Sequence, residues 1–334
     1  MQDLSMKLQE IAKLPPDRPM SMPGAFYTSQ NRFKHEVSTV LNSGWHCLGR
    51  QDEIPNSGDF FTANLLNEPL IVIRQADGNI GVLANVCRHR GMPLAEGRGN
   101  VQRFVCSYHA GAYDLDGSLL RAARMKNARF DPKNCYLHNH NVQLWNGFIY
   151  VNLRLDAPQF NFPKLNTLLA NYEPESFRLV HVADEVWNTN WKCLVENFME
   201  GYHLSVVHPE TLHGYTPTGL ARKLLSENGY TSYAANYPKN IPTRGYGATG
   251  LTKDERLRST LFALFPTQVA SLAASLLVSL SIFPISAGQI RVKWTMSTYE
   301  QDLSEETIAD RIALWEEVNR EDREKLERMK IGLA

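Results

Sequence analysis

Apolar residues recur along this chain with two different periods, and the two periods occupy different regions. Between residues 44 and 155 the pattern is short apolar runs broken by Gly, Pro, Asn and Asp. Leu70-Ile-Val-Ile-Arg74, the turn Ala76-Asp-Gly-Asn79 and the run Ile80 to Val86 predict a hairpin. Pro69 stands just before the first run, where a strand tolerates it. Tyr113 to Leu119 predicts a second hairpin, and Trp145 to Asn152 closes the strand-rich stretch. Further on, Leu179 to Trp187 predicts a strand and Trp191 to Val207 a helix. Val278, Leu280 and Ile282 alternate with Ser279, Ser281 and Phe283. Ile290, Val292, Trp294 and Met296 alternate with Arg291, Lys293, Thr295 and Ser297. Both patterns predict antiparallel strands with one buried face. Helical spacing appears over 28–41, after a cap at Thr28 or Ser29, and again from about Ser304 to Lys330. Glu305 and Glu306 sit at the start of that last helix, where negative charge is favoured.

The pattern therefore predicts an α+β chain in three parts. An arm and helix over 1–43, entered irregularly through Pro15, Pro16, Pro19 and Pro23, packs with the C-terminal part. A β-rich unit covers 44–155. After a Pro-containing linker (Asp156 to Pro163), an antiparallel sheet with long helices covers 156–334.

Composition narrows the function. A chain of 334 residues can bury two cores, and its formal net charge is zero. That charge gives no expectation of a nucleic-acid or anionic-membrane surface. The most apolar stretch, Val269 to Ile285, is interrupted by Ser271, Ser275, Ser279, Ser281 and Pro284, so no membrane span is expected. Met1-Gln-Asp-Leu4 opens polar and acidic, without the basic-then-apolar pattern of a leader.

Two short patterns carry chemistry. Cys87-x-His89 and Cys106-x-x-His109 are separated by sixteen residues, and each follows a strand-like apolar run. Zinc modules group like with like, Cys with Cys and His with His, whereas both pairs here are mixed. Two thiolates and two imidazoles are the donor set of a Rieske [2Fe–2S] centre, with Cys on one iron and His on the other. The remaining cysteines, Cys47, Cys135 and Cys193, are scattered and read as free thiols in a reducing cytoplasm. No Gly-rich nucleotide loop is present, so electrons are expected from a separate protein.

A second constellation lies in Glu196-Asn-Phe-Met-Glu200-Gly-Tyr-His203 and His208-Pro209. Two imidazoles and a carboxylate make the facial triad of a non-haem Fe(II) site. A gap of five residues sets the two histidines about 140° apart on one straight helix. Pro209 offers the remedy, because it biases His208 out of the helical region. The carboxylate must come from elsewhere. On the last helix Ile308, Ile312, Trp315, Asn319, Asp322, Leu326 and Met329 form one stripe, and Asp322 is the acid on it. A buried carboxylate is paired or bound to metal, which leaves Asp322 as third ligand or as partner of an Arg or Lys. Glu316, Glu317, Glu321, Glu324 and Glu327 mostly fall off the stripe and read as solvated.

Nearly the whole chain resembles the α-subunits of Rieske non-haem iron oxygenases. Cys87-Arg-His89-Arg-Gly and Cys106-Ser-Tyr-His109, with Tyr113-Asp-Leu-Asp-Gly117, look like the cluster motif. Asn190-Trp-Lys192, Glu196-Asn197, Glu200-Gly-Tyr-His203 and His208-Pro209-Glu210 look like the mononuclear-iron motif, and Val318-Asn-Arg-Glu-Asp322 like the acidic motif. The resemblance implies a Rieske domain followed by a helix-grip catalytic domain. It implies a cluster on Cys87, His89, Cys106 and His109, iron on His203, His208 and Asp322, and catalytic roles for Glu200 and Asn197.

The family works as a terminal oxygenase, a head-to-tail homotrimer fed by a separate NAD(P)H-dependent flavin and iron–sulfur reductase. Electrons pass from one subunit's cluster histidine through the bridging acid to the next subunit's iron. Two positions depart from the family: Ser107 replaces a proline, and Ala110-Gly111 stand where Gly-Trp is usual. The bridging acid is usually Asp. Here it is Glu200, which is similar to the branch that oxidises quaternary ammonium compounds such as carnitine, glycine betaine and stachydrine, releasing formaldehyde from an N-methyl group. A cation of that kind favours aromatic walls, for which Tyr202, Tyr215, Tyr233, Phe262 and Phe265 are candidates. The alternatives are an aromatic-ring hydroxylase, or a Rieske electron carrier whose second site is inactive.

Overall fold

The structure, a computed structural model, describes residues 2–15, 18–122, 131–243, 245–299 and 303–333, so Pro16 lies outside the described residues. Two compact units are present: residues 42–160, and residues 1–41 together with 161–334.

The N-terminal arm begins with a helix that the pattern did not predict, α1 (Gln2–Ala12), followed by α2 (Ala25–Thr28) and α3 (Gln30–Thr39). Ser29 caps α3, its hydroxyl accepting from the Arg32 N–H.

The described residues of 42–160 form ten short strands: β1 (His46–Arg50), β2 (Asp59–Leu65), β3 (Glu68–Arg74), β4 (Ile80–Ala84), β5 (Arg98–Asn100), β6 (Phe104–Val105), β7 (Ala112–Tyr113), β8 (Leu119–Arg121), β9 (Asn141–Trp145) and β10 (Phe148–Asn152). They make three antiparallel sheets, ordered β1-β10-β9, β4-β3-β2-β5 and β6-β7-β8. The segment after β10 does not hang loose. Phe160 stacks edge-on against Trp45, Trp145 and Tyr150, and its backbone exchanges two hydrogen bonds with the Gln143 amide.

The second unit continues with α4 (Pro163–Leu169), β11 (Arg178–Trp187), α5 (Trp191–Phe198), α6 (Leu204–Val207), β12 (Ala221–Glu227), β13 (Tyr230–Asn236), α7 (Lys253–Arg256), β14 (Arg258–Leu264), β15 (Gln268–Leu272), β16 (Leu276–Ser286), β17 (Gln289–Thr298) and α8 (Glu305–Leu333). Seven antiparallel strands form one sheet in the order β11-β17-β16-β15-β14-β13-β12, with bulges in both edge strands. Register places Tyr233, Leu261, Ser271, Val278 and Met296 in one row across it.

The expectation of one buried face is corrected: Ser279, Ser281, Lys293 and Thr295 are also buried. The segment after α4 packs on that second face, where the Tyr172 hydroxyl meets Thr260 Oγ1 at 3.0 Å. The arm is fastened to α5. Glu36, 4% exposed, takes Lys192 at 2.8 Å and the Trp191 indole N–H at 3.2 Å, and Asn190 Nδ2 donates to the Tyr27 carbonyl.

Candidate metal centres

In the β-rich unit, Cys87-x-His89 lies in the loop after β4 and Cys106-x-x-His109 in the turn between β6 and β7. The two loops share one backbone pattern. The N–H four residues after each cysteine donates to the cysteine carbonyl (Gly91 to Cys87, Ala110 to Cys106). Each cysteine N–H in turn donates to the carbonyl five residues on (Met92, Gly111). The residue at the fourth position must turn left-handed, and Gly91 (φ 74°) and Ala110 (φ 56°) both do. Ala110 thus holds a conformation that suits glycine, at a cost of about 1 kcal/mol.

The loop from residue 87 is braced by the Asn85 side chain, which accepts from the N–H groups of Leu94 and Ala95 and donates to the Ala95 carbonyl. Cys87 and Cys106 are buried among Phe60, Ile71, Phe104, Tyr113 and Leu137, whereas His89 and His109 stand at the surface with ring centroids 4.8 Å apart. Burial alone would raise the Cys87 thiol. Hydrogen bonds from Tyr113, from the His89 and Arg90 N–H groups and from Cys106 outweigh it and hold the thiol below its ordinary value. A sulfur pair inside and a nitrogen pair outside fit a cluster whose two irons differ in ligands.

In the second unit the predicted helix from Trp191 to Val207 is broken. α5 ends at Phe198, residues 199–203 are non-helical, and α6 spans only Leu204–Val207. Glu200 breaks it: its carboxylate accepts from the backbone N–H groups of Tyr202 and His203 and meets His203 Nδ1 at 2.5 Å. Gly201 packs against Ala221, so close that a Cβ there would lie 2.5 Å from the Ala221 methyl. His203 and His208 flank α6 at its two ends, and the 140° problem of one straight helix does not arise.

His203, His208 and Asp322 converge, with one ligand atom from each lying within 4.8 Å of the others. His208 Nε2 and Asp322 Oδ1 are 3.1 Å apart, yet both are buried and without a hydrogen-bonded partner. An orphaned base beside an orphaned carboxylate is the arrangement a cation between them satisfies. The Arg or Lys alternative for Asp322 is not realised, since among the described residues its ion-pair contacts are His203 and His208. Burial disfavours charge on His208, but Asp322 and Glu321 outweigh it and hold the imidazole above its usual value.

Sequence reasoning missed Glu321. It is only 13% exposed rather than solvated, and it accepts from His208 Nδ1 and from the Thr211 hydroxyl, each at 2.7 Å. A proton held on Nδ1 leaves Nε2 as the free lone pair. Burial pushes Glu200 up, but the His203 ring and the two backbone N–H groups outweigh it and keep the carboxyl ionised below the usual range. Glu196, a turn earlier, instead accepts from the Tyr27 hydroxyl. Asn197 leaves its buried Nδ2 unpaired. On the α8 stripe, Trp315, Asn319, Asp322 and Leu326 are buried, while Met329 is 49% exposed.

A cavity of about 320 Å³ lies near the triad, whose own residues do not line it. Leu204, the residue after His203, lines it, and so does Tyr233, whose hydroxyl donates to the Glu200 carbonyl. Of the predicted aromatic walls, Tyr215 and Tyr233 line it, and Tyr237 and Trp315 join them. The other three do not. Phe262 points to the opposite face of the sheet, in register with Ser232 and Ala270; Phe265 is 58% and Tyr202 86% exposed.

Residues 44–142 match the Rieske [2Fe-2S] domain family, and residues 171–334 match the ring hydroxylating alpha subunit (catalytic domain) family. The two matched domains imply a Rieske cluster and a mononuclear iron, for which the two donor sets above are fitted. The chain is 32% identical over 200 residues to the carnitine monooxygenase oxygenase subunit of Escherichia coli (strain K12), an alignment spanning 58% of this chain and 54% of that protein. It is 36% identical over 200 residues to the glycine betaine monooxygenase oxygenase subunit of Pseudomonas aeruginosa (strain UCBPP-PA14), spanning 59% and 46%. The matches thus span about half the length of these relatives. In fold, it superposes on a quaternary ammonium Rieske monooxygenase with TM-score 0.84 at 24% identity, covering 96% of this chain and 89% of that one. It also superposes on naphthalene 1,2-dioxygenase from Rhodococcus sp. with TM-score 0.82 at 19% identity, covering 99% and 86%.

Proposed function

From the premise that this chain belongs to the ring-hydroxylating α-subunit family and carries its Rieske domain, we propose that it is a terminal oxygenase acting on a quaternary ammonium compound. The observation that carries the reading is the convergence of His203, His208 and Asp322, with Glu200 on the second ring nitrogen of His203. Cys87, Cys106, His89 and His109 would hold the cluster, and His203, His208 and Asp322 the iron. When bound, the cluster supplies single electrons and the iron supplies oxygen activation.

The protein's own groups do the rest. Glu321 orients His208 and Glu200 orients His203, each fixing which nitrogen faces the metal. Tyr215, Tyr233, Tyr237 and Trp315 offer the cavity ring faces that attract an N-methyl cation. Glu200 keeps 43% of its side chain exposed, beside Tyr202 and Val206, which are 86% and 82% exposed. On the other unit, His109 stacks against exposed Tyr108, and exposed Met92 and Val105 lie on the same two cluster loops or beside them in sequence. Exposed apolar side chains next to each redox side chain suit a head-to-tail ring in which His109 of one copy meets Glu200 of the next. We assign electron supply to a separate NAD(P)H-dependent reductase and place the protein in the cytoplasm, where the three cysteines outside the cluster set, Cys47, Cys135 and Cys193, are stable as free thiols. No helix among the described residues is long and apolar enough to cross a membrane.

The test is oxygen uptake by the reduced, iron-loaded chain with carnitine, glycine betaine, choline, stachydrine and small aromatic acids, with formaldehyde assayed in parallel. Uptake with matching formaldehyde from a trimethylammonium compound is the expected result, and uptake on an aromatic acid alone would replace it with ring oxidation. Glu200→Gln should keep both metals and the assembly while losing most turnover; full turnover in that variant would remove Glu200 from the electron path.

A further inference from the structure

The cavity beside the triad has a charged far end. Thr307, Asp310, Arg311, Leu314 and Trp315 of α8 line it together with Leu204 and Tyr233 at the inner end. α8 serves as a ruler, because each residue advances 1.5 Å. Trp315 lies two turns, about 10 Å, from Asp322, and Arg311 lies about 16 Å from it. Side chains on a helix lean toward its N-terminus, so the Arg311 guanidinium stands further out still. Arg311 is held there by a hydrogen bond from Nη1 to the Ser275 carbonyl at 3.4 Å. Its planar fork of donors matches a carboxylate.

We propose that Arg311 is a specificity-determining residue that reads a carboxylate at the far end of the substrate, so that the cavity takes a trimethylammonium acid longer than glycine betaine or carnitine. This rests on the quaternary ammonium reading above. The reverse orientation, with the ammonium drawn to Asp310, would leave the N-methyl carbon at the wrong end of the cavity, about 18 Å from Asp322. A short betaine whose methyl group lies near the triad cannot bring its carboxylate to Arg311. A longer one can, and its methylene chain then covers Leu204, Leu261 and Leu314.

The experiment measures binding to the full chain, by calorimetry, of ω-trimethylammonio acids from the acetate to the octanoate, with the matching ω-trimethylammonio alcohols in parallel. Formaldehyde release from the reduced, iron-loaded protein under O2 is followed for the same compounds. Affinity is expected to rise with length, and the long acids should bind about tenfold to a hundredfold tighter than the alcohols, the size of one charge-assisted hydrogen bond. Arg311→Gln should erase that acid-over-alcohol ratio, and Arg311→Lys should retain part of it. Tightest binding by the shortest acids, or a ratio unchanged in Arg311→Gln, overturns the inference while turnover of short betaines leaves the quaternary ammonium reading standing. If no trimethylammonium compound of any length binds or releases formaldehyde, both fall.

Discussion

Glu321 accepts the Nδ1 proton of His208, and so settles which ring nitrogen is left for a metal. Glu321→Gln should lower iron affinity about tenfold to a hundredfold with the fold intact, measured by competition with a chelator. Equal affinity would mean that packing alone orients the ring. A second buried imidazole lies in the β-rich unit. His140 has both ring nitrogens unpaired, and burial, with His138 beside it, pushes it down to about 4. The unfolded chain takes up that proton near pH 6.5 and the folded one does not. Stability is therefore full above pH 6.5 and declines as pH falls toward 4, by about 3 kcal/mol in all. Urea titrations across that window should show the decline, and His140→Gln should flatten it.

The metal-site residues differ in how far the sequence disclosed them. Asp322 stood out because it is polar on a stripe that must be buried. Glu321 did not, because it lies one residue off the stripe and reaches its partner by side-chain length. Phe262 and Phe265 could not be told from Tyr233 by spacing, since which face a strand presents depends on register with neighbours distant in sequence.

At the scale of elements, strands and the last helix were readable because their periods are long and regular. The break at 199–203 was not, for the residues around it favour helix and the break is made by side-chain contacts. Glu200 competes with the helix for the N–H groups of Tyr202 and His203. Gly201 completes the break through its approach to Ala221. Gly201→Ala should destabilise the chain by about 1–3 kcal/mol and reduce bound iron, because the overpacked methyl displaces the loop that carries His203. Denaturant unfolding combined with metal analysis checks both, and wild-type stability and iron content together would show that the contact relaxes freely.

At the scale of the molecule, the proposed donor sets would hold three irons per chain, two in the β-rich unit and one in the other. His203→Ala combined with His208→Ala should leave two, by iron and sulfide analysis; a value of three in that variant would move the mononuclear site elsewhere.

The seven-stranded sheet leaves two strands with an unpaired side, β11 and β12. Each carries a bulge, β11 at Leu179/His181 and β12 between Lys223 and Ser226. Each also carries charge: Arg178 and Asp184 on one, Arg222, Lys223 and Glu227 on the other. Irregular, charged borders refuse a further strand. The sheet therefore cannot grow by backbone pairing, either into fibrils or into a larger shared barrel. An assembly that uses this sheet must be written in side chains, where surface substitutions can weaken it without disturbing the sheet.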